Sequence, residues 1–379
     1  MPRLDSFDPA MFADSLQKHR LFPNVSATQH RLSKERDLGA WVLGRKRMYL
    51  DTSWWIELLN VRLGRSSNRQ HEELLLRLQS LVQSGHLICP LGEGVFLELL
   101  KQVDVGTRTA TALLMDEMSA AVTIIDSRRR LRIEATHFLL TKSAVAKPPL
   151  ERVWTKAGFV LGNRKIAFAG ISEEEQSARD KACLDMRWSL RLSELLDDSD
   201  PPFDREDLTL RRGAERITDR TRAYAHEVTK FTEVFLAEVG GYIDLHGEEL
   251  GAALEEIERA TRGGSATSAA RQQEIRESAR HMFYNLFRYR KIGNSLPTIR
   301  IHGGLYAMNR WLRNRPFSHH DYYDIANASA ALPYCDYFLT EKHLATITTG
   351  APLNFAKIYG VSVMHTVEQA LDALSGLAV

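Results

Sequence analysis

Cysteine is scarce in this sequence. Only Cys89, Cys183 and Cys335 occur, far apart and without a CxxC pair, which excludes a cysteine-rich zinc site and argues against a disulfide framework. An excess of charge of one sign is equally absent. Against 48 Asp and Glu stand 50 Lys and Arg, a formal net charge of +2, so bulk charge selects no partner and only its distribution can. No apolar run reaches the roughly 20 residues of a membrane-spanning helix. The N-terminal stretch MPRLDSFDPAMFADSLQKHR carries charges where a signal peptide needs an apolar core. Internal repeats and long low-complexity tracts are missing too. What remains is the ordinary balance of a globular chain, from which a soluble protein of the reducing cytoplasm is expected. Its 379 residues suffice for two domains, or for one domain with a large insertion.

Residues 1–47 are polar, with one amphipathic stretch from Pro9 to His19 and a basic ending GRKR, and read as an N-terminal arm. At Met48 the texture changes. MYLDTSWWIELLNV reads as a short strand that reaches Asp51 and turns into helix, with Trp54 and Trp55 packing in the core or under a later helical insertion. HEELLLRLQSLVQSG reads as a helix closed by Gly85 in the C′ position, and HLICPL as a strand stopped by Pro90. GVFLELLKQV and TATALLMDEMSA follow as helices, and AVTIID as a strand ending at Asp126. Such alternation predicts an α/β fold with a parallel sheet. From about Lys142 to Ser295 the pattern becomes mainly helical or irregular, with loops expected over 195–207 and 262–268. Gly303–Gly304 reads as a turn. The α/β texture then returns: HHDYYDIANASAAL as helix, DYFLT as a strand closing on Thr340, KIYGVSVM as a final strand and TVEQALDAL as helix. The simplest organisation is an arm (1–47), an α/β core in two parts (48–141 and 296–379) and a helical insertion (142–295) larger than an ordinary loop.

Carboxylates recur where strands hand over to helices. Asp51 ends the first strand; Glu98 lies on the helix after the second; Asp321 and Asp324 open the helix before DYFLT; and Glu341 follows that strand. In open parallel α/β sheets such positions face the crevice outside the carboxyl ends of the strands. Carboxylates gathered there repel one another unless a cation compensates. Mg2+ or Mn2+ suits oxygen ligands, keeps several waters, and supplies what phosphodiester hydrolysis requires. Ser318 can cap the later helix, with Asp321 three residues on as in a capping box, and Asp321 and Asp324 are spaced to share a face.

The runs YLDTSWWIELL, ICPLGEGVFLELL and DYYDIANASAALPYCDYFLTEKHL, in that order, resemble the acidic motifs of PIN domains, the metal-dependent nucleases that include toxin-type ribonucleases. The resemblance covers about half the chain. It implies a three-layer α/β/α fold around a central parallel sheet, here interrupted by a helical insertion. It implies Mg2+ or Mn2+ held by Asp51, Glu98, Asp321 and Asp324, a catalytic part for Glu341, and Thr340 shaping the site. Glu341 stands where many relatives have Asp, and Glu93 is close enough to Glu98 that either could be the second acid. The implied activity is hydrolysis of nucleic acid, RNA before DNA, leaving 5′-phosphate and 3′-hydroxyl ends. A non-catalytic scaffold that keeps the fold, or a toxin-type ribonuclease restrained by a protein partner, are the alternatives. A partner or a second copy of the chain would meet the helical insertion.

From Arg271 to Arg315 ten Lys and Arg (271, 276, 280, 288, 290, 291, 300, 310, 313 and 315) face two Glu (274 and 277), with Tyr284, Phe287, Tyr289 and Trp311 interleaved. Basic side chains mixed with aromatics suit a single-stranded nucleic acid, and Arg280, Arg288, Arg290, Lys291 and Arg300 are the candidates for contact. A solvated helix face with core aromatics explains the same pattern. His319 and His320 lack the further ligands zinc needs, and Gly303–Gly304 lacks the GxxxxGK[ST] of a phosphate loop.

Overall fold

Helix boundaries in this chain follow local capping chemistry. The computed structural model describes residues 9–142, 149–162, 170–196, 204–227, 229–262, 268–312 and 315–377. It opens with α1 (Pro9–Arg20) and α2 (Ala27–Leu43). The second helix starts at a reciprocal capping box, in which the Ser26 hydroxyl accepts the Gln29 N–H and the Gln29 side chain accepts the Ser26 N–H. Then come β1 (Lys46–Leu50), α3 (Thr52–Arg62), α4 (Arg69–Gln83), β2 (Leu87–Ile88), α5 (Glu93–Leu99), α6 (Val105–Ser119) and β3 (Val122–Ile124). Helix α4 buries Leu74, Leu75, Leu78 and Leu81 on one face, and Gly85, at φ +75°, turns the chain toward β2. Next are α7 (Ser127–Thr141), β4 (Trp154–Lys156), α8 (Glu173–Ser189), α9 (Leu192–Leu195), α10 (Asp204–Ala223), α11 (Phe231–Leu245), α12 (Gly247–Arg262), α13 (Ala269–Arg288) and α14 (Pro297–Leu312). The chain closes with α15 (His320–Tyr334), β5 (Tyr337–Leu339), α16 (Lys342–Thr349), α17 (Phe355–Tyr359), β6 (Ser362–Met364) and α18 (Val367–Ser375). It is an α/β chain, mainly helical, with short strands. Among the described residues no helix is long and apolar enough to cross a membrane.

Tertiary contacts group the chain into two units. The first combines Met1–Asp126, Glu151–Pro202 and Val367–Val379; the second combines Ser127–Leu150 and Phe203–Thr366. Residues 151–202 thus join the first unit and 203–295 the second.

In the first unit β1 and β2 run parallel, with Lys46 opposite Leu87 and Arg47 opposite Ile88. Strand β3 pairs antiparallel with β4, Thr123 opposite Thr155, and Leu91 bridges Thr123 in parallel. Strand β4 corrects the expectation of a helical or irregular stretch at that point. Its three residues WTK are too few for periodicity to show, and only the partner strand defines them. Met48, Tyr49, Leu50, Trp55, Leu58, Leu78 and Trp154 are fully buried here. Trp54 is half-buried, edge-on to the His71 ring. Helices α1 and α2 pack on α8, and α18 packs on α4, where the Arg77 guanidinium donates to the carbonyls of Leu374 and Leu377. At Gly39 a Cβ would fall 2.2 Å from the Glu151 carbonyl oxygen. Because that obstacle is backbone, Gly39→Ala is expected to lower stability by about 1–3 kcal/mol, read as a fall in the urea midpoint; an unchanged midpoint would show that the segment around Glu151 yields freely.

In the second unit α7, α11, α12, α13 and α14 enclose a core that includes Leu131, Phe138, Val239, Ile243, Phe283, Phe287 and Ile299. Strands β5 and β6 run parallel, Tyr337 opposite Ser362 through Leu339 opposite Met364. Three sequence expectations need correction. Gly303 and Gly304 are no turn but lie inside α14, where a Cβ would meet Val239 at 2.7 Å or Phe355 at 2.5 Å; close packing overrides the poor helix propensity of glycine. Lys357, Ile358 and Tyr359 finish α17, and Gly360, at φ +71°, separates them from the strand. Of the loop expected over 195–207, residues 197–203 lie outside the described residues and the chain is helical from Asp204. The expected loop over 262–268 also falls mostly outside them.

Candidate metal and nucleic-acid site

Each unit positions one group of the candidate acids. In the first, fully buried β1 residues deliver the chain to Asp51, which is 4% exposed. Asp51 adopts an extended backbone conformation (φ −70°, ψ 159°) and caps α3, its carboxylate accepting the Thr52 N–H at 2.8 Å. The Thr52 hydroxyl in turn donates to Glu98 Oε2 at 2.5 Å. Helix α5 can bring Glu98 there because Gly92 precedes it, and a Cβ at Gly92 would sit 2.5 Å from the Tyr49 hydroxyl on β1. Of the two candidates for the second acid, Glu98 is the one that accepts the Thr52 hydroxyl hydrogen bond, while Glu93 occupies the first turn of α5. Thr52, which the sequence reading passed over, therefore links both carboxylates.

In the second unit Asp321 and Asp324 line one small cavity together with Asn309, Arg315 and His343. Asp321 is 3% exposed and already well partnered. It pairs with the Arg315 guanidinium at 2.7 Å and accepts the Ser318 N–H at 2.5 Å. This is the acid's half of the expected capping box, although the cap position itself is His319. His343, another residue missed in the sequence, is pulled below the usual histidine pKa chiefly by burial and then by Arg315, against the opposing pull of Asp321 and Glu341. Nothing but its place two residues after Glu341 could have marked it. Thr340 is fully buried, its N–H bonded to the Met364 carbonyl at 2.9 Å. Glu341 is exposed, at the cap position of α16 without a side-chain capping bond, and is not among the residues lining the cavity.

Several arginines of the basic run are paired with carboxylates, three of them with glutamates on other helices. Arg271 pairs with Glu258 and Glu274, Arg276 with Glu248, Arg310 with Glu238 and Arg315 with Asp321. Arg280 is half-buried, packed so closely on Gly247 that a Cβ there would touch its guanidinium. The Arg300 guanidinium donates to the Gly293 carbonyl and lies 5.8 Å from the Phe287 ring centre, and burial lowers its pKa. Phe287 belongs to the core, Tyr284 packs beside Gly240, and Trp311 meets Phe231 edge-on at 5.9 Å. Exposed, by contrast, are Arg288, Arg290 and Lys291 with Tyr289, whose ring centre is 5.7 Å from the Arg288 guanidinium. Arg313 lies outside the described residues. The rings of His319 and His320 stand 4.0 Å apart.

Comparison with protein-family models, with curated proteins and with solved structures finds no match to this chain.

Proposed function

We propose that this protein is a metal-dependent nuclease with a PIN-like core, acting in the cytoplasm on single-stranded nucleic acid, RNA before DNA. The observation that carries the reading is the Asp51–Thr52–Glu98 arrangement at the end of β1. There, two carboxylates are tied to one threonine, one of them almost fully buried. An all-oxygen donor set of this kind fits Mg2+ or Mn2+. Asp51 and Glu98 would hold the ion in the first unit, and Asp321 and Asp324 are the acids of the second that the reading calls on. When bound, such a metal supplies positive charge to the phosphate oxygens and an acidified water. The residues of the chain do the rest. Thr52 fixes Glu98, while Arg288, Arg290 and Lys291 neutralise phosphates beside Tyr289, on which a base can stack.

Purified protein incubated with single-stranded RNA and DNA is expected to cleave in Mg2+ or Mn2+ and to stop in EDTA, leaving 5′-phosphate ends. Cleavage that persists in EDTA, or in Asp324→Asn, would rule the mechanism out. Thr52→Val keeps the shape of the side chain and removes only the hydroxyl donor. It is expected to reduce cleavage by about 10–100-fold, as loss of a group that orients a metal ligand does, and to shift half-saturation to higher Mn2+ concentration; an unchanged Mn2+ titration would mean Thr52 has no part in positioning Glu98.

One observation favours the scaffold reading instead. Asp321 already has Arg315 as counterion and the Ser318 amide as donor, which satisfies a structural carboxylate with no metal at all. Calorimetric titration separates the two: heat of Mn2+ binding lost in Asp51→Asn supports the nuclease, and no heat at millimolar Mn2+ supports the scaffold.

A further inference from the structure

We infer that the first unit also holds a site for one divalent transition-metal ion of the zinc type, formed by His19, His30 and Asp185. The three residues come from three different helices, α1, α2 and α8. His19 Nε2 lies 2.7 Å from Asp185 Oδ2 and His30 Nε2 lies 2.8 Å from Oδ1, with the two rings edge-to-face at 4.6 Å. One ligand atom from each of the three falls within 4.8 Å of the others. Two imidazole nitrogens and a carboxylate form the donor set of zinc, cobalt or non-haem iron, not of magnesium.

The Asp185 carboxylate sits at the centre of the cluster, accepting from the Ser15 hydroxyl at 2.8 Å and meeting both imidazoles and the Lys34 ammonium. A tetrahedral ion with bonds near 2.0–2.1 Å separates its ligand atoms by about 3.3 Å, a spacing that lies between the present His–Asp contacts of 2.7 and 2.8 Å and the 4.8 Å within which one ligand atom from each residue falls.

Lys34 is the cation now in place, its Nζ 2.9 Å from Asp185 Oδ1. It is a flexible side chain that is 28% exposed. The indole of Trp188, 5.7 Å from Nζ, offers it a partner away from the carboxylate. Lys181 also faces the cluster, but its ammonium is held by the Phe22 carbonyl at 2.9 Å. The site is independent of the nuclease reading, and its occupation would clamp the first two helices onto α8.

A cobalt titration of the chelator-treated full-length protein tests the site, with excess Mg2+ present to fill any all-oxygen site. One equivalent of Co2+ is expected to bind with the visible absorption of a nitrogen-ligated, low-coordinate centre, and Zn2+ to displace it. His19→Gln with His30→Gln keeps an N–H donor close to each Nε2 position, so the hydrogen-bonded cluster survives. This variant should bind at least about 100-fold more weakly, since ligands are lost rather than their supports. Lys34→Met removes the competing charge and should bind more tightly. The proposal is overturned if the wild type binds no cobalt, if the folded glutamine variant gives the same spectrum, or if Lys34→Met binds no better.

Discussion

Asparagine at position 51 is expected to abolish nucleic-acid cleavage while leaving the fold intact. The proposed function gives the carboxylate there a second duty beside its capping role, and this substitution separates the two. As the cap of α3 it needs only an oxygen to accept the Thr52 N–H, and the asparagine side-chain oxygen serves equally well. As a metal ligand it needs its charge, and the amide has none. If Asp51 helps to hold the ion, its loss removes several kcal/mol of charge stabilisation from the reacting phosphate. A loss of about 4 kcal/mol corresponds to roughly a thousandfold in rate. Cleavage rate and thermal midpoint measured on the same preparation decide the matter. A rate drop at an unchanged midpoint supports the catalytic role. Retained cleavage refutes it, and a fall in both quantities would make Asp51 a structural cap.

The second large effect lies far from any candidate acid, at Glu134 on α7, which is fully buried in the second unit. Its carboxylate accepts the Thr298 N–H at 3.0 Å, the Thr298 hydroxyl at 2.6 Å and the Tyr334 hydroxyl. Nearby, Arg130 donates to the Ser329 hydroxyl at 2.8 Å. Burial pushes the Glu134 pKa up to about 7, against the opposing pull of Thr298, Tyr334 and Arg130. A carboxyl raised in this way binds a proton more tightly in the folded protein than in the unfolded chain. Its contribution is complete below its ordinary value of 4.5 and is lost as pH rises through about 7. Unfolding free energy measured by urea is therefore expected to fall across this window by about 3 kcal/mol. Glu134→Gln, which cannot ionise, should flatten that slope. Glu134→Ala should flatten the slope as well, and its cost should be greatest below about pH 5, roughly 3–5 kcal/mol, because it strands the Thr298 and Tyr334 donors in the core and leaves a void. A wild-type stability that does not fall between pH 5 and 8 would contradict the assignment.

How much of this was legible beforehand depends on the range of each interaction. The capping box at Ser26, the cap at Asp51, the turn at Gly85 and the leucine face of α4 are set by residues within a few positions of one another. The order of strands and helices from Met48 to Asp126 follows from the same local chemistry. Strand β4 was not legible, because its three residues acquire meaning only opposite β3. Nor was the fate of Gly303 and Gly304, whose place inside α14 depends on Val239 and Phe355 coming close.

The candidate site divides in the same way. Sequence alone marked Asp51, Glu98, Asp321 and Asp324, since strand ends and helix starts can be read locally. It could not show that Thr52 would link the first two, that Arg315 would claim the third, or that His343 would join Asp324 at one cavity. The basic run is the sharpest case. Counting along the chain sees Arg271, Arg276 and Arg310 as free charge, whereas Glu258, Glu248 and Glu238 on α12 and α11 neutralise them in space. Local propensity, caps and the spacing of apolar residues were thus determined by the sequence itself, because backbone hydrogen bonding and helix periodicity act over a turn or two. Which charges remain exposed, which carboxylates share a neighbour and which helix closes on which unit were decided only by tertiary packing, because Coulomb and contact energies depend on separation in space and are blind to separation along the chain.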